Sequence, residues 1–462
     1  MNKKIFSYLF LFAFAGLFFA SCKVTQPYKS PVLSTDGLFR DTTITDTTTI
    51  ANVHWNEIFT DTILQRLIEQ GIQYNPDLQI AYTHIQQSQA YYLQSGAAFL
   101  PTLNANAGVT SSRFSKSQGV QVNSATQYQA GLSASWEADI WGKLSSSKRA
   151  NLANLLQTES AARAVQTNLV STIANYYYSL LALDQQLEIT RMTVRNWDTT
   201  VQTMQALKEA AVVTGAAVVQ SEAQRYAAEV TIPDLKQTIK ETENALSILI
   251  GNSPSGIKRG RLQDQSFMEM LHTGVPAQLL SNRPDVQQAE FNFRYYFELT
   301  NVARAYFYPS LSITGSAGLN AFSFSDLFRP GALAASIGAG LTQPILNQRG
   351  NKTRLEVAKA QQREALLNFQ NTLLKAGQEV SNAMSLYETS NEKTSIRTNQ
   401  LTALQLSVDY SQELLKNGFA NYTEIITARQ SLLQAELGRV NDRLQQLQAV
   451  VDLYRSLGGG WK

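Results

Sequence analysis

The chain has 462 residues, with 39 Lys and Arg against 36 Asp and Glu, and its formal net charge of +3 is too small over this length for a nucleic-acid surface. Charged residues make up 16% of the sequence, against about 25% in ordinary soluble domains, and the lone cysteine, Cys22, excludes an internal disulfide framework. His54, His84 and His272 lie far apart, no His/Cys cluster has metal-ligand spacing, and there is neither a phosphate-binding loop nor a nucleophile elbow, so no enzyme, cofactor or metal site is expected.

Lys3 and Lys4 precede an almost wholly apolar stretch from Ile5 to Phe19, and Ala20-Ser21-Cys22 follows. This layout predicts an export signal over residues 1–21, its apolar part shorter than the ~20 residues that span a bilayer. The setting of Cys22 resembles a bacterial lipobox, with Phe19 where Leu is usual, and implies a covalent lipid on Cys22; an ordinary signal peptide with a chance cysteine is the other reading. Residues 22–55 are rich in Thr and Pro between Val24 and Thr49, have little to bury and are expected to form an extended tether. Beyond the signal no run of 18 apolar residues occurs, which leaves a β-barrel as the way into a membrane.

Asn75-Pro76-Asp77 is a helix start, with Asn75 as N-cap, Pro76 at the first helical position and Asp77 at the positive end. The helix is expected to run to about Phe99 and to stop before Pro101. The period then becomes two. Leu103, Ala105, Ala107 and Val109 alternate with Thr102, Asn104, Asn106 and Gly108; after a polar loop, Tyr128, Ala130, Leu132, Ala134, Trp136, Ala138 and Ile140 alternate with Gln127, Gln129, Gly131, Ser133, Ser135, Glu137 and Asp139. Each run has the length of a tilted membrane-crossing strand, with Trp136, Trp141, Tyr128 and Phe322 as interfacial aromatics; soluble hairpins on a core show the same alternation. Lys143 to Thr214 holds no Gly and no Pro over 72 residues, a helix of ~108 Å if unbroken. Gly215 is expected to make the turn, and a return helix to about Ile250 carries Ile232, Leu235, Ile239, Leu246 and Leu249 as a stripe, with a kink at Pro233.

The same series then returns 208 residues later. Arg283-Pro284-Asp285 answers Asn75-Pro76-Asp77, and Phe307-Tyr308-Pro309-Ser310-Leu311 answers Phe99-Leu100-Pro101-Thr102-Leu103. Arg349-Gly350 answers Trp141-Gly142, and Leu457-Gly458-Gly459 answers Leu249-Ile250-Gly251. Strands are expected through Leu311, Ile313, Gly315, Ala317 and Leu319 and through Leu333, Ala335, Ile337, Ala339 and Leu341. A helix from Asn351 to Asn417 turns at Gly418, and its return carries a heptad stripe of Leu433, Leu437, Val440, Leu444, Leu447, Val451 and Tyr454. Repeat one spans 56–251, a linker 252–263 and repeat two 264–462. Two long copies in one chain suit symmetric assembly better than one asymmetric active site. Four strands are too few to enclose a lumen and strand edges cannot stay open in lipid, so a membrane barrel needs several chains.

These parts together resemble the TolC-like outer-membrane efflux proteins, in particular the lipidated branch that works with resistance–nodulation–division (RND) pumps. The stretches that carry the likeness are His54-Trp55 to Asn75-Pro76-Asp77, Arg283-Pro284-Asp285 with Tyr308-Pro309-Ser310, and the ending Leu453 to Trp461. The resemblance implies a mainly α fold with a membrane β-barrel part, in which three protomers give four strands each to one twelve-stranded barrel and coiled-coil helical hairpins form a periplasmic tunnel. It implies a lipid-anchored outer-membrane homotrimer that extends into the periplasm, with a periplasmic adaptor and an inner-membrane RND pump as partners. The hairpin turns at Gly215 and Gly418 would meet the adaptor. Some relatives carry two pore-facing acids past the second turn; here Glu424 and Thr427 stand there, with Glu222 after the first turn. The local alternative reads Asn421-Tyr422-Thr423-Glu424 as a capping box. A Tyr–Arg latch of some relatives is absent, since Leu415 and Ala420 hold its places. Arg283-Pro284-Asp285 is read as a helix start, and Tyr176-Tyr177-Tyr178 as inter-helix packing. The rivals are a structural coiled-coil lipoprotein and the exit duct of an ABC-type secretion system.

Overall fold

The computed structural model describes residues 24–35, 37–40, 48–113, 124–266, 273–274, 276–419 and 421–462. The export signal, Cys22, His272 and Ala420 lie outside the described residues. Eight helices longer than ten residues occur among them: α1 Thr62–Tyr74, α2 Pro76–Ala97, α3 Lys143–Glu209, α4 Gly215–Glu229, α5 Thr231–Leu249, α6 Pro284–Ala305, α7 Gly350–Lys416 and α8 Tyr422–Ser456. Beside them stand four strands, β1 Thr102–Arg113, β2 Ser124–Ala138, β3 Ser310–Ala321 and β4 Leu333–Thr342, and several helical turns of three or four residues. The chain divides into two compact units, one of Met1–Val32, Ile85–Thr158 and Ala289–Phe369, the other of Leu33–His84, Glu159–Gln288 and Gln370–Lys462.

The first unit is built on one antiparallel sheet in the order β1-β2-β3-β4. Its register joins like to like. Ala105 lies opposite Leu132, Leu132 opposite Ala317 and Ala317 opposite Ala335; on the other face Asn104 lies opposite Ser133, Ser133 opposite Ser316 and Ser316 opposite Ser336. A slip of one residue at any pairing would mix the faces, so the alternation in the sequence fixes the register.

Val24–Val32, expected as a free tether, is docked in this unit. The Asn301 side-chain amide donates to the Gln26 carbonyl at 2.9 Å and accepts the Gln26 N–H at 3.0 Å, imitating a strand neighbour. The Tyr28 ring packs on Phe293 and Phe297 at centroid distances of 6.0 and 5.5 Å, and Ser30 donates to Glu290 at 2.6 Å. Asn301 in turn donates to the buried Glu298, which the Arg149 guanidinium grips at 2.8 and 2.9 Å. A few well-placed contacts do here what bulk hydrophobicity does elsewhere, which is why composition concealed the docking.

In the second unit, helix ends explain most of the geometry. α2 starts as expected: the Leu78 N–H donates to the Asn75 side chain at 3.0 Å. The turn after α3 differs from expectation. Gly215 is the first residue of α4, without a positive φ, and the left-handed residue is Ala211 at φ 56°. Val212 donates to the Leu207 carbonyl at 2.8 Å and Ala211 to that of Lys208 at 3.0 Å, the two bonds of a Schellman cap. Gly418, at φ 76°, closes α7 in the same way, with Phe419 donating to Leu414 at 2.8 Å and Gly418 to Leu415 at 3.1 Å. The two caps are 207 residues apart. α5 and α8 also end alike at Gly251 and Gly458, again 207 apart. The repeat thus runs at 208 from α2/α6 through β1/β3 and at 207 from β2/β4 onward, which corrects the later anchors by one residue.

The expected kink at Pro233 is a break at Val230, between α4 and α5. Proline lacks an N–H, and its ring clashes with the carbonyl four residues back, here that of Glu229. The capping box at Asn421 is half made: the Asn421 side chain accepts the Thr423 N–H at 3.3 Å, and no hydrogen bond from the Asn421 N–H to the Glu424 carboxylate occurs among the described residues. On the α8 stripe Val440, Leu447, Val451 and Tyr454 are buried. Tyr177 and Tyr178 are buried as expected, and the Tyr177 hydroxyl donates to Asp61 at 2.6 Å. Burial pushes the Asp61 carboxyl upward, but donors from Tyr177, Gln265 and the Ile63 and Leu64 amides outweigh it and hold it below its usual range.

Candidate functional site

The strands offer a wall with two unlike faces. Along β4 Leu333, Ile337 and Leu341 project on one side, and Ile337 is 85% exposed within the chain. Leu103, Val109 and Leu132 lie exposed on the same side of β1 and β2. Four strands of 12, 15, 12 and 10 residues reach the length that crosses a hydrocarbon core. The opposite face is made of Asn, Gln, Ser, Thr and Gly with Ala125 and Ala334, and its acid, Glu137, is paired with Lys143 at 2.5 Å. Aromatic residues sit at both ends. Trp136 donates to the Phe99 carbonyl at 2.8 Å and Trp141 to that of Pro309 at 2.7 Å; at the far end Phe324 packs between Tyr128 and Phe328 at 5.8 and 5.7 Å. Each indole N–H is satisfied; the Trp136 ring lies on the apolar face, as is usual at a membrane–water boundary, and the Trp141 ring stacks on Tyr308 at 4.9 Å. β1 and β4 are edges without a strand neighbour among the described residues.

The second candidate region is the end of the helical hairpins. Met204, Ala217, Val218, Leu415 and Ile425 form a small core there, with Leu207, Val213 and Tyr422 against it. Leu415 thus fills a latch position with a packed apolar side chain. Gly418 stands in the second turn, Gly215 just after the first. Glu424 is exposed in the first turn of α8 and Glu222 half-buried on α4. Neither carboxylate has a hydrogen bond or ion pair among the described residues. The 207-residue register pairs Glu424 with Ala217 and Glu222 with Arg429, so the two acids are not counterparts. Glu222 lies five residues farther along its helix, about 7.5 Å at 1.5 Å per residue.

Sequence reasoning missed one feature of this region. A cavity of about 340 Å³ between α3, α7 and α8 is lined by Met192, Trp197, Val408, Arg429, Leu433 and Glu436. Burial pulls Arg429 below its ordinary range, and its Nε is buried without a partner. Burial pushes Glu436 up, against the opposing pull of Arg439. The available signal was a pair of charges seven residues apart, on the edge of the heptad stripe.

Arg283 is structural, as read. It is 5% exposed, grips Asp285 at 3.0 and 2.6 Å, and donates to Glu379 at 2.9 Å and to the Ser456 carbonyl at 2.8 Å. Burial disfavours its charge, but Asp285 and Glu379 raise its pKa overall. The chain's ending locks onto the same place, with Trp461 donating to the Asn282 carbonyl at 3.2 Å under the Arg163 guanidinium. Among the described residues no group of three or more His, Cys, Asp or Glu is placed to hold a metal ion, and no helix is long and apolar enough to cross a membrane.

Residues 67–252 and 275–459 match the family model for outer membrane efflux proteins. The cation efflux system protein CusC of Escherichia coli is 27% identical over 457 residues, covering 97% of both chains. The probable outer membrane lipoprotein SilC of Salmonella typhimurium is 26% identical over 469 residues, covering 99% of both. Among solved structures, the open state of the Neisseria gonorrhoeae MtrE outer membrane channel superposes with a TM-score of 0.85 at 25% identity, covering 96% of this chain and 99% of that one.

Proposed function

The chain belongs to the outer membrane efflux protein family and is an outer-membrane efflux channel, and from that premise we propose that it works as a lipid-anchored trimeric exit duct which performs no chemistry. The observation that carries this reading is the sheet, apolar on one face from Leu103 to Val109 and along the strand residues opposite them, mostly polar on the other, and unpaired at β1 and β4 among the described residues. Open edges are not tolerated in lipid, and pairing β4 of one copy with β1 of the next closes a ring without changing either face. Three copies give twelve strands, an ordinary even count for such barrels. The lipid on Cys22 anchors each copy: one acyl chain binds a membrane only marginally, and several chains add about 0.8 kcal/mol per buried methylene.

The hairpin turns, near Gly215 and at Gly418, meet a periplasmic adaptor, and an RND-type inner-membrane pump supplies the energy. Around a threefold axis three Glu424 carboxylates form an acidic ring, with Glu222 as a second ring at its own level. Such a ring attracts cations and repels anions. CusC is named for cation efflux; in this duct cations and other substrates alike take the same path, and the pump makes the choice.

Two measurements test the reading. Leu132→Arg should cost about 2–4 kcal/mol of folding stability in bilayers, and Ser133→Arg much less; equal tolerance at both positions, or a monomer in mild detergent, overturns the barrel. In planar bilayers, Glu424→Gln should weaken cation selectivity with trimer assembly intact, and Glu222→Gln should add to it. Unchanged selectivity in the double variant leaves Glu424 as an ordinary helix-start acid and Glu222 as a mid-helix one, and removes the gate.

A further inference from the structure

A second cavity in the helical unit, of about 400 Å³, is lined by Arg397 on α7 and by Arg439, Asp442 and Arg443 on α8, with Thr398 and Gln446 beside them. Its one acid is already engaged: Asp442 accepts from the Arg397 Nε at 2.7 Å and is 9% exposed. Gln400 accepts a second Arg397 N–H at 2.8 Å, which leaves three of the five guanidinium donors without a partner among the described residues. Arg443 is held by the Gln265 carbonyl and the Gln446 side chain, each at 2.5 Å. Arg439 makes no hydrogen bond or ion pair among the described residues, and its charged neighbour is Glu436, one turn away on the same helix. Arg397, with three donors to spare, and the exposed Arg439 therefore line the cavity together with one acid, Asp442, that is already paired.

Gly438 shows that Arg397 is accommodated against α8. A Cβ at Gly438 would lie 2.8 Å from the Arg397 Cζ and 3.0 Å from its Nη1. Glycine weakens a helix interior, and here it lets a guanidinium lie flat against the α8 backbone. Burial also pulls Arg443 below its ordinary range, the direction that a bound anion opposes.

We infer that this cavity is a binding site for a small polyvalent oxyanion, a phosphate or a di- or tricarboxylate, held between Arg397 and Arg439 with Arg443 behind it. Guanidinium forks match the paired oxygens of both groups, and the volume suits a small organic anion. An anion there bridges α7 to α8 and stiffens the second hairpin.

The test is isothermal titration of the full-length protein in mild detergent at low ionic strength, where weak ionic contacts are not screened, with inorganic phosphate and citrate as probes and acetate as the monovalent control. Saturable binding of phosphate or citrate, one per chain, is expected, and the tighter of the two names the ligand class. Arg439→Ala removes an exposed side chain and should weaken binding at least tenfold with the thermal midpoint of the free protein unchanged. Gly438→Ala, which displaces the Arg397 fork, should weaken it similarly. No saturable binding of either anion, or binding that both variants leave unaltered, overturns the site.

Discussion

The two copies meet the same backbone demands with different residues. Both long helices stop in a Schellman cap, with Ala211 in the left-handed position of the first copy and Gly418 in that of the second. Both copies tie the start of a helix to the end of the return helix. Asn75 does it with one amide to the Leu249 carbonyl at 2.9 Å, and Arg283 with a guanidinium that reaches the Ser456 carbonyl and two carboxylates. What the duplication has kept is the path of the chain. The side chains that enforce it have diverged, so the copies should respond unequally to matched substitutions.

The largest difference is expected at the helix starts. Arg283→Ala strands the Ser456 carbonyl, in a residue 1% exposed, and loosens two carboxylates; it should cost about 2–3 kcal/mol. Asn75→Ala loses a cap and one carbonyl partner and should cost about 1–2 kcal/mol. Denaturant midpoints in detergent measure both, and equal losses would break the comparison. The turns come next. Ala211→Gly should raise stability by about 1 kcal/mol and Gly418→Ala should lower it by a similar amount, because a Cβ is strained at positive φ; thermal midpoints of opposite sign sharpen the contrast.

The smallest effect concerns Glu436 and its counterpart Glu229, 207 residues earlier. Glu229 is exposed and pairs with Arg225 at 3.2 Å, whereas burial raises the pKa of Glu436. A raised carboxyl keeps its proton in the folded state after the unfolded chain has lost it. The stability it contributes is therefore complete below the ordinary Glu range and is lost as pH rises through the folded value. Glu436→Gln should flatten the pH–stability curve just above pH 4–5 relative to the unsubstituted protein. A curve for Glu436→Gln that matches that of the unsubstituted protein would show that burial at Glu436 has no thermodynamic weight.

Much of the fold was legible because it rests on periodicity. Asn75-Pro76-Asp77 announces its helix by local chemistry, and the alternation from Tyr128 to Ala138 fixes both the strand and the face it shows. Ala211 was not legible, since alanine favours helix and nothing local signals a left-handed turn; the nearby Gly215 took the eye instead. The docking of Tyr28 and the inward aim of Arg429 depend on residues far away in sequence. Glu424 and Glu222 could be named as acids near turns, but their levels follow only once the caps set the register between copies.

The change of repeat from 208 to 207 falls between Arg113 and Ser124 in one copy, and between Ala321 and Leu333 in the other. Within a strand a single added or lost residue would turn every following side chain from lipid to lumen, so only even changes preserve the wall. The connection between strands obeys no such parity. A peptide tag of any length inserted between Arg113 and Ser124 should leave Leu103 and Leu132 on the same face, and an antibody against it would then report the accessibility of that end of the barrel on intact cells. One residue inserted at Ala130 should invert the face of half a strand and abolish assembly.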